Sequence, residues 1–505
     1  MTVLSLATIL AESARKKPDK VAVIDHTGAR FTYSQLWQQA RSWAAGLREL
    51  GIGPGDTVAL QIPNVIDFPR AYYAALAVGA TIVPMHLLLT PDELGYVLRD
   101  SGAKLLIAHP SQVESATKAA SLAGIPVEST ERLSTDAEPL HTYVTREAED
   151  VAVIFYTSGT TGQPKGALLT HLNLVMNATV NTFDVHDPHP DDISMGCLPL
   201  FHTYGQSVAM NGTFRSGGTL VLLPRFTGEA AIELMVREQA TIFYGVPTMF
   251  IGLLEAAQKA ERLPDLRLAF SGGASLPVAV LEKFTEVFQA PIYEGYGLSE
   301  TSPTATTNQP AFGTKPGTIG HPIWGVEAEI ARAEVDERID FLPVGELGEI
   351  VIRGHCVFAG YHNRPEATAE ALFDGWFRTG DLGRKDDKGF ITIVDRKKDL
   401  VIRGGFNVYP REVEEALARH PAVQQVAVIG VPDATFGEEI CAVVVPAGDP
   451  AQAGSAGGIT AEELIEWSKE KLGRHKYPRQ VRFVEQLPLG PSFKVLKREL
   501  RKTFS

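Results

Sequence analysis

Hydroxyl groups and glycines are concentrated in the loop YTSGTTGQPKG, residues 156 to 166, directly after the strand-like run VAVIF. Backbone N–H groups, hydroxyl donors and a cation such as Lys165 are the groups that bind a chain of phosphates, so this loop is a candidate phosphate site. It is not a Walker loop, because Pro164 stands where that motif has its second glycine. A plain polar turn between a strand and a helix would explain the hydroxyl groups, but not the lysine placed behind a proline.

A second cluster, GYGLSET at residues 295 to 301, could bind a flat ligand and a cation. Its two glycines allow close approach of the backbone, Tyr296 offers a stacking face, and Glu300 offers a carboxylate beside two hydroxyl groups. Glu300 occupies the place of the third glycine in the dinucleotide fingerprint, which disfavours a nicotinamide enzyme. A glycine-rich turn capped by Ser-Glu is also common without any function.

Three further segments each carry one residue of interest. Asp381, in GWFRTGDLG, is expected in a tight turn between glycines, where its carboxylate could accept both hydrogen bonds of a ribose diol or simply close an Asx turn. His202 follows an apolar run in LPLFHTYGQ, a setting in which histidine is more often structural than catalytic. Lys494 follows Phe493 near the C-terminus, and taken alone it indicates only a solvated basic tail.

The composition excludes several classes of function. The chain has 505 residues, of which 44% are hydrophobic and 21% charged, so two or more ordinary globular domains are expected. A net charge of -13 argues against nucleic acid or an anionic membrane as the main partner. The sequence has no G-x-S-x-G elbow, no H-E-x-x-H zinc motif and no apolar run long enough to span a membrane. The three separated cysteines and the absence of signal-peptide features predict a cytoplasmic protein.

Short β-branched runs alternate with longer amphipathic stretches, which predicts an α/β fold with largely buried strands. The predicted strands include residues 21–25, 57–62, 81–85, 104–108 and 218–223. From about residue 345 the pattern changes to strands separated by turns, as in GEIVIRG and in FITIVD after the turn DDKG. This change predicts a smaller β-rich subdomain.

A compact second unit is predicted after the basic segment DRKKD, residues 395 to 399, which could be a charged hinge. This unit should contain a helix in REVEEALARH, a strand in VQQVAVIGV, a helix opened by a capping box of Thr460 and Glu463, and a strand in QVRFV. The predicted domains are therefore residues 1–397, a large multi-layer α/β domain with its β-rich subdomain, and residues 398–505, a small α/β domain.

Taken together and in this order, the motifs resemble those of the adenylate-forming superfamily of acyl-CoA synthetases, adenylation domains and luciferases. The resemblance spans nearly the whole chain, and LPLFHTYGQ, FYGVPTMF, SGGASLP and YHNRPEATAEA are most similar to bacterial fatty-acid-type acyl-CoA ligases. It implies that the protein uses ATP and Mg²⁺ to convert a carboxylic acid to acyl-AMP, and then transfers the acyl group to CoA. It also implies that the small domain is mobile, with Lys398 at the hinge.

The same resemblance implies a role for each motif. The β- and γ-phosphates would be held by Thr157, Ser158, Gly159, Thr160, Thr161, Gly162 and Lys165. Adenine would lie between Gly273-Ala274 and Tyr296, and the remaining nucleotide-binding residues would be Glu294, Gly295, Gly297, Ser299, Thr301, Asp381 and Arg396, the last two at the ribose. Glu300 and Thr157 would bind Mg²⁺. The acyl pocket would be lined by His202, Thr203, Tyr204, Tyr244, Val246 and Leu298. The implied catalytic residues are Lys494, which would reach the α-phosphate, His202 and Glu300.

Two positions depart from the family pattern. Lys398 stands where several relatives carry aspartate, although lysine also occurs there. The second departure is next to Lys494. A glycine usually precedes the lysine, and here Phe493 does, with a side chain that restricts backbone freedom and access. An apolar monocarboxylate, fatty or aromatic, is the expected substrate, because GYGLSET supplies no cation for a second carboxylate. Two alternatives stay open: transfer of the acyl group to an amine or a carrier-protein thiol, and a nucleotide-binding protein that has lost catalysis.

Overall fold

The computed structural model describes residues 2–157, 163–189, 191–335, 337–447, 459–490 and 493–504. Its strands, in chain order, are β1 (Val21–Ile24), β2 (Arg30–Thr32), β3 (Thr57–Gln61), β4 (Thr81–Pro84), β5 (Ala103–Ala108), β6 (Val127–Ser129), β7 (Val151–Thr157), β8 (Lys165–Thr170), β9 (Ile193–Gly196), β10 (Thr219–Leu222), β11 (Ile242–Gly245), β12 (Leu268–Ser271), β13 (Ile292–Gly297), β14 (Thr304–Thr307), β15 (His321–Pro322), β16 (Val326–Ala331), β17 (Gly348–Gly354), β18 (Leu372–Phe373), β19 (Trp376–Lys385), β20 (Ile391–Arg396), β21 (Val401–Arg403), β22 (Phe406–Val408), β23 (Val423–Asp433), β24 (Gly437–Pro446) and β25 (Gln480–Phe483).

The α-helices are α1 (Thr8–Lys16), α2 (Tyr33–Glu49), α3 (Asp67–Val78), α4 (Pro91–Asp100), α5 (Val113–Ala123), α6 (His171–Val180), α7 (Gly212–Ser216), α8 (Gly228–Glu238), α9 (Pro247–Ala257), α10 (Val278–Phe288), α11 (Pro365–Ala371), α12 (Pro410–Leu417), α13 (Ala461–Lys471) and α14 (Lys497–Phe504). Asn181–Val185 and Tyr204–Asn211 are π-helical, and Pro110–Gln112, Thr130–Arg132 and Ser299–Thr301 form short 3₁₀ turns. Within the ranges given above, no helix is both long enough and apolar enough to cross a membrane.

Two mostly parallel sheets form the body of the large N-terminal domain. Their strand orders are β6-β5-β3-β4-β7-β8 and β15-β14-β13-β12-β11-β9-β10-β1-β2. Central strands such as β11 are buried at every residue, which explains why their sequences are continuous apolar runs instead of alternating patterns. The five strands predicted in this domain are confirmed, each within one residue at either end.

The order of the nine-stranded sheet determines which loops meet. Strands β9, β11, β12 and β13 are adjacent and parallel, so their carboxyl ends lie along one edge of the sheet. In open α/β sheets, ligands bind outside this edge. The segments that follow these four strands carry His202, Val246, Gly273 and Leu298, which were predicted for one site from four separate motifs.

The β-rich subdomain predicted from about residue 345 is present. Strands β16, β17, β19 and β18 form an antiparallel sheet, and β20 pairs with β19. The turn DDKG joins β19 to β20, and the Asp386 N–H donates to the Phe390 carbonyl at 3.0 Å. This sheet brings Asp381 of β19 and Arg396 of β20 opposite each other.

The small C-terminal α/β domain is a separate sheet with its own core. Its strand order is β22-β21-β24-β23, with β25 beside β24, and α12 and α13 pack on it through residues such as Leu417 and Leu464. The predicted capping box is confirmed: the Thr460 hydroxyl accepts from the Glu463 N–H at 3.2 Å, and the Glu463 carboxylate accepts from the Thr460 N–H at 2.8 Å. The α/β fold class with a large and a small domain is therefore confirmed, whereas the boundary between residues 397 and 398 stays a prediction.

Polar contacts hold the small domain against the large one. Arg411, at the start of α12, donates from its side chain to the Ile393 carbonyl at 2.7 Å and from its backbone N–H to Asp395 at 2.9 Å. Gln424 of β23 donates to Glu255 of α9. The Thr248 hydroxyl of α9 also donates to the Phe493 carbonyl at 3.1 Å, so the segment that carries Lys494 lies against the carboxyl edge of the nine-stranded sheet.

Candidate active site

A small cavity lies where the C-terminal segment meets the edge of the nine-stranded sheet. Its volume is about 10 Å³, the room of roughly one water molecule. Its walls are Leu198, Pro199, His202, Tyr204, Gly205, Val246, Gly273 and Lys494. The structure thus brings together residues that the sequence predicted for catalysis, for nucleotide binding and for the acyl pocket.

Lys494 reaches this cavity from a hydrogen-bonded turn. The Lys494 carbonyl accepts from the Gly490 N–H at 2.7 Å, and α14 begins three residues later. The lysine side chain lies over Gly273, where the φ of +81° favours glycine and an added β-carbon would be 3.2 Å from Lys494 Cε. Burial lowers the pKa of Lys494 to about 8, Arg396 adds to this shift, and Asp381 and Glu300 oppose it. The amine is therefore mainly protonated at neutral pH and loses its proton just above it.

His202 is held in the loop between β9 and the π-helical segment that starts at Tyr204. Its backbone N–H donates to the Pro199 carbonyl at 3.0 Å, and its Nδ1 accepts from the Tyr204 N–H at 3.3 Å. Desolvation lowers the pKa of His202 to about 3, and the positive charge of Lys494 acts in the same direction. The imidazole is consequently neutral, so it can offer a hydrogen bond at the cavity wall but not a positive charge.

Glu300 is a buried carboxylate in the 3₁₀ turn after β13. Its Oε1 accepts from the Tyr361 hydroxyl at 2.8 Å, and Nζ of Lys165 is 5.3 Å from the centre of the Tyr361 ring. Burial raises the pKa of Glu300, while the hydrogen bond from Tyr361 and the charge of Lys494 lower it. A buried carboxylate is stabilised by a cation placed beside it, so the site is suited to bind one.

Asp381 is also buried, with 5% of its surface exposed, but it does not lie in a turn as predicted. It is inside β19, paired with Arg396 of β20, at a place where Gly380 has a φ of +73° and the register shifts after Leu382. The glycines that indicated a turn instead mark a bulge in a strand. Oδ2 of Asp381 accepts from the Tyr296 hydroxyl at 2.6 Å, and Oδ1 is 3.4 Å from Nε of Arg396. Desolvation raises the pKa of Asp381, and Arg396 opposes this shift.

The GYG segment forms the end of β13, where the backbone has no room for a side chain at Gly297. A β-carbon there would be 1.7 Å from the Pro303 carbonyl oxygen. The hydroxyl groups that follow are used by the protein itself, since Thr301 accepts from the Leu298 N–H at 2.8 Å and Ser299 is hydrogen-bonded to Thr203 at 3.3 Å. The segment is therefore a rigid support for Tyr296 and Glu300.

Aromatic side chains close the predicted acyl pocket. The Tyr204 ring lies beneath Gly272, where an added β-carbon would be 3.1 Å from it, and its hydroxyl donates to the Phe270 carbonyl at 3.1 Å. Tyr244 stacks on Phe270 with ring centres 5.5 Å apart and shares a hydrogen bond of 3.3 Å with Nδ1 of His186. This part of the wall is thus aromatic, and the hydroxyl groups of Tyr204 and Tyr244 both have protein partners.

The phosphate-loop prediction can be followed only at its two ends. Thr157 and Lys165 are paired residues of the antiparallel strands β7 and β8, so the loop joins two strands and not a strand and a helix. Ser158, Gly159, Thr160, Thr161 and Gly162 lie outside the described residues.

Two further predicted residues lie outside this loop. Lys398 lies in the turn between β20 and β21, and Ala274 is exposed beside Gly273.

Sequence reasoning did not single out Tyr361, although its hydroxyl contacts Glu300 and its ring faces Lys165. The residue stands at the start of YHNRPEATAEA, which was used only as a mark of resemblance. Its partner Glu300 is 61 residues away in the chain, so spacing alone could not reveal the contact. The available signal was that this tyrosine is the first residue of a family motif.

Comparison with known proteins agrees with this geometry. The family model described as AMP-binding enzyme matches residues 10–362, and the model of the AMP-binding enzyme C-terminal domain matches residues 412–494. The long-chain-fatty-acid–CoA ligase of Bacillus subtilis is 35% identical, over 98% of this chain and 94% of its own length. A feruloyl-CoA synthase of an Amycolatopsis species is 37% identical, over 97% of each chain. The crystal structure of ATP-bound MatB from Rhodopseudomonas palustris is similar with a TM-score of 0.89 and 34% identity, covering 99% of both chains.

Glu294, beside this site, generates a prediction about stability. Its Oε1 accepts from the Leu276 N–H at 3.1 Å, and its buried Oε2 has no hydrogen-bond partner among the described residues. Burial raises the pKa of Glu294 to about 7, so the folded protein holds a proton that the unfolded chain releases at lower pH. Stability should therefore fall as the pH rises from about 4.5 to about 7, by roughly 3 kcal/mol in total, and should not fall further on this account above that pH.

We expect Glu294→Gln to remove this loss, because glutamine stays neutral and keeps an acceptor for Leu276. Thermal unfolding at about pH 5 and about pH 8 should show a smaller decrease in Tm for the variant than for the wild type. Glu229→Gln, at an exposed position of α8, is the matched control and should follow the wild type. An equal decrease in all three proteins would contradict the assignment.

Proposed function

Because the chain belongs to the family of AMP-binding enzymes and is an ATP-dependent acid:CoA ligase, we propose that it activates an apolar monocarboxylate, fatty or aromatic. The carboxylate attacks the α-phosphate of ATP, the bond to pyrophosphate breaks, and acyl-AMP remains. The CoA thiol then attacks the acyl carbon, AMP leaves with the electron pair, and the thiol proton passes to solvent. The single observation that carries the assignment is the position of Lys494, which shares one cavity with His202 and Gly273.

The first step joins two anions, so catalysis depends mainly on positioning and on positive charge. We assign the α-phosphate to Lys494 and the outer phosphates to Thr157, Lys165 and the loop between them. The cation–π contact of Lys165 with Tyr361 supports this assignment, because it directs the Lys165 ammonium toward the same region as Glu300. Removal of one preorganised cation should slow the step by about 10²- to 10³-fold.

We assign the ribose to Asp381 and Arg396, and the adenine to the space between Tyr296 and the backbone at Gly273 and Ala274. The hydrogen bond from Tyr296 to Asp381 supports both roles, because it fixes the ring and the carboxylate relative to each other. Glu294, Gly295, Gly297, Ser299 and Thr301 support this nucleotide site from β13 and the turn after it. The tight packing at Gly297 keeps that support in place.

Magnesium is the expected partner of ATP, and Glu300 and Thr157 would hold it. The buried Glu300 carboxylate, whose pKa is raised by desolvation, fits a hard cation with oxygen ligands. In the ranges that the structure describes, no group of three or more His, Cys, Asp or Glu residues could hold a metal. Mg²⁺ commonly completes its ligands with substrate phosphates, and when bound here it would neutralise phosphate charge.

The aromatic and apolar wall supports an apolar acyl group. His202 is neutral, and Lys494 is the one cation among the described residues that line the cavity, which leaves none for a second carboxylate. Two relatives are named for long-chain fatty acids and for ferulate, which are both largely apolar monocarboxylates. We propose in addition that residues 1–397 and 398–505 are the two domains, that Lys398 is the hinge between them, and that the protein is cytoplasmic.

The proposal is tested by supplying ATP, Mg²⁺ and a panel of acids while following pyrophosphate release. We expect release with fatty or aromatic monocarboxylates and formation of the thioester with CoA. Parallel reactions with an amine or a carrier-protein thiol in place of CoA test the alternative acceptors. Release with an amine but never with CoA would replace the acceptor in the proposal, and no release with any acid would refute it.

Lys494→Ala should abolish acyl-AMP formation, with a loss of at least about 10²-fold, because no other cation is found among the described residues of the cavity wall. Thioester formation from supplied acyl-AMP should be largely kept, since attack by a thiol does not require charge at the α-phosphate. Both half-reactions are measured separately with the purified protein. Equal losses in both would contradict the role assigned to Lys494.

The lowered pKa of Lys494 predicts an alkaline limit for the first half-reaction. In the free enzyme, kcat/KM for ATP should fall as the pH rises through about 8, because the neutral amine no longer compensates phosphate charge. Lys494→Arg should be slower but should lack this decrease, because arginine stays protonated. The same alkaline decrease in the arginine variant would assign it to another group.

A further inference from the structure

Phe493, which precedes Lys494, has a backbone conformation that ordinarily belongs to glycine. Its φ is +59°, in the left-handed region where a β-carbon is unfavourable. The turn itself requires this conformation, because the Phe493 N–H donates to the Gly490 carbonyl at 2.9 Å and the Gly490 N–H donates to the Lys494 carbonyl at 2.7 Å. The strain therefore lies within the turn that carries Lys494.

Outside this turn, Phe493 makes contacts with described residues of the large domain. Its ring meets the Phe226 ring edge to face, with centres 6.3 Å apart and an interplanar angle of 75°. Its carbonyl accepts from the Thr248 hydroxyl at 3.1 Å. The ring also joins the apolar core that surrounds the nine-stranded sheet. These contacts form only when the turn lies against the segment after β10 and the first turn of α9.

We propose that Phe493 is a positioning residue, whose ring and carbonyl fasten the turn that carries Lys494 to Phe226 and Thr248 of the large domain. The lysine is attached to the next residue along the chain, so any contact that fixes Phe493 also fixes the starting point of the Lys494 side chain. A glycine in this place would take the same φ without strain, but it would offer no ring to Phe226. Phenylalanine at this position is thus strained in its backbone, but it makes a contact between domains that glycine could not make.

The consequence concerns the balance between the two half-reactions. The contact between Phe493 and Phe226 stabilises the arrangement in which Lys494 lies over Gly273. It therefore shifts the equilibrium between the docked and the withdrawn turn toward the docked state. Attack by CoA does not use Lys494, so the contact contributes nothing to that step. The ring should therefore favour acyl-AMP formation relative to thioester formation. This inference rests on the role proposed above for Lys494.

Phe226→Ala is the sharpest test, because it removes the partner ring and leaves the strained turn and Lys494 unchanged. We expect acyl-AMP formation to fall by about 2- to 10-fold, the usual range for one aromatic pair. Thioester formation from supplied acyl-AMP should be unchanged or faster. A variant that merely destabilised the fold would slow both steps together, and that result would overturn the proposal.

Together with Phe226→Ala, the variants Phe493→Gly and Phe226→Ala/Phe493→Gly form a double-mutant cycle, which measures the coupling between the two rings. The glycine variant should show the same selective loss without a lower Tm, because glycine relieves the strain at this φ. Phe226→Ala should have little further effect in the glycine background if the two rings act as a pair. Additive effects would overturn the proposal. Phe312→Ala, at an exposed aromatic residue of the large domain, is the matched control and should behave as the wild type.

A measurement without substrate separates this inference from the proposed function. Hydrogen exchange of the Gly490 and Phe493 amides in the ligand-free protein should be about 2- to 10-fold faster in Phe226→Ala, because the strained turn opens more often once the ring contact is lost. Exchange of the same amides should be unchanged in Phe312→Ala. Unchanged exchange in Phe226→Ala would overturn the inference even if every assay of activity succeeded. If the wild type releases no pyrophosphate, the proposed function fails, while the exchange result still decides whether Phe493 fastens the turn.

Discussion

Two negative charges have to meet at this site, because the carboxylate of the acid attacks a phosphate. Positive charge is scarce there, since the chain as a whole carries a net charge of -13 and Lys494 is the one cation among the described residues of the cavity wall. The buried acids Glu300 and Asp381 increase the need for cations, because desolvation raises the pKa of each. The position of the small domain therefore has an electrostatic effect: docking it brings an ammonium to a place where anions are otherwise costly.

The helix α9 contributes to this docking along its length. Thr248 in its first turn donates to the carbonyl of Phe493, and Glu255 near its end accepts from Gln424 of the small domain. The residue before the helix, Val246, lines the cavity itself. One helix therefore connects the proposed acyl pocket with the surface on which the small domain rests, so a change in the packing of this pocket should alter how firmly Lys494 is held.

Much of the fold could be predicted from local patterns. Continuous β-branched runs indicated the buried parallel strands, and the Thr460 capping box marked a helix start, because both depend on neighbouring residues. The position of Asp381 was wrong because a glycine with positive φ can belong either to a turn or to a bulge, and only pairing with β20 distinguishes them. Tyr361 was missed because its contact with Glu300 depends on tertiary packing. The strain at Phe493 could be suspected from the missing glycine, but the Phe226 ring that compensates for it could not.

The size of the cavity has a consequence for the order of events. With Lys494 over Gly273, about 10 Å³ remain, which is far less than an acyl group occupies. For the proposed acyl group to enter this cavity, the turn that carries Lys494 has to withdraw, and closure has to follow binding. A protein that favours its closed form binds its first ligand with an affinity reduced by the fraction of molecules that are open. The same firm closure that brings charge to the phosphate thus limits how readily the acid enters.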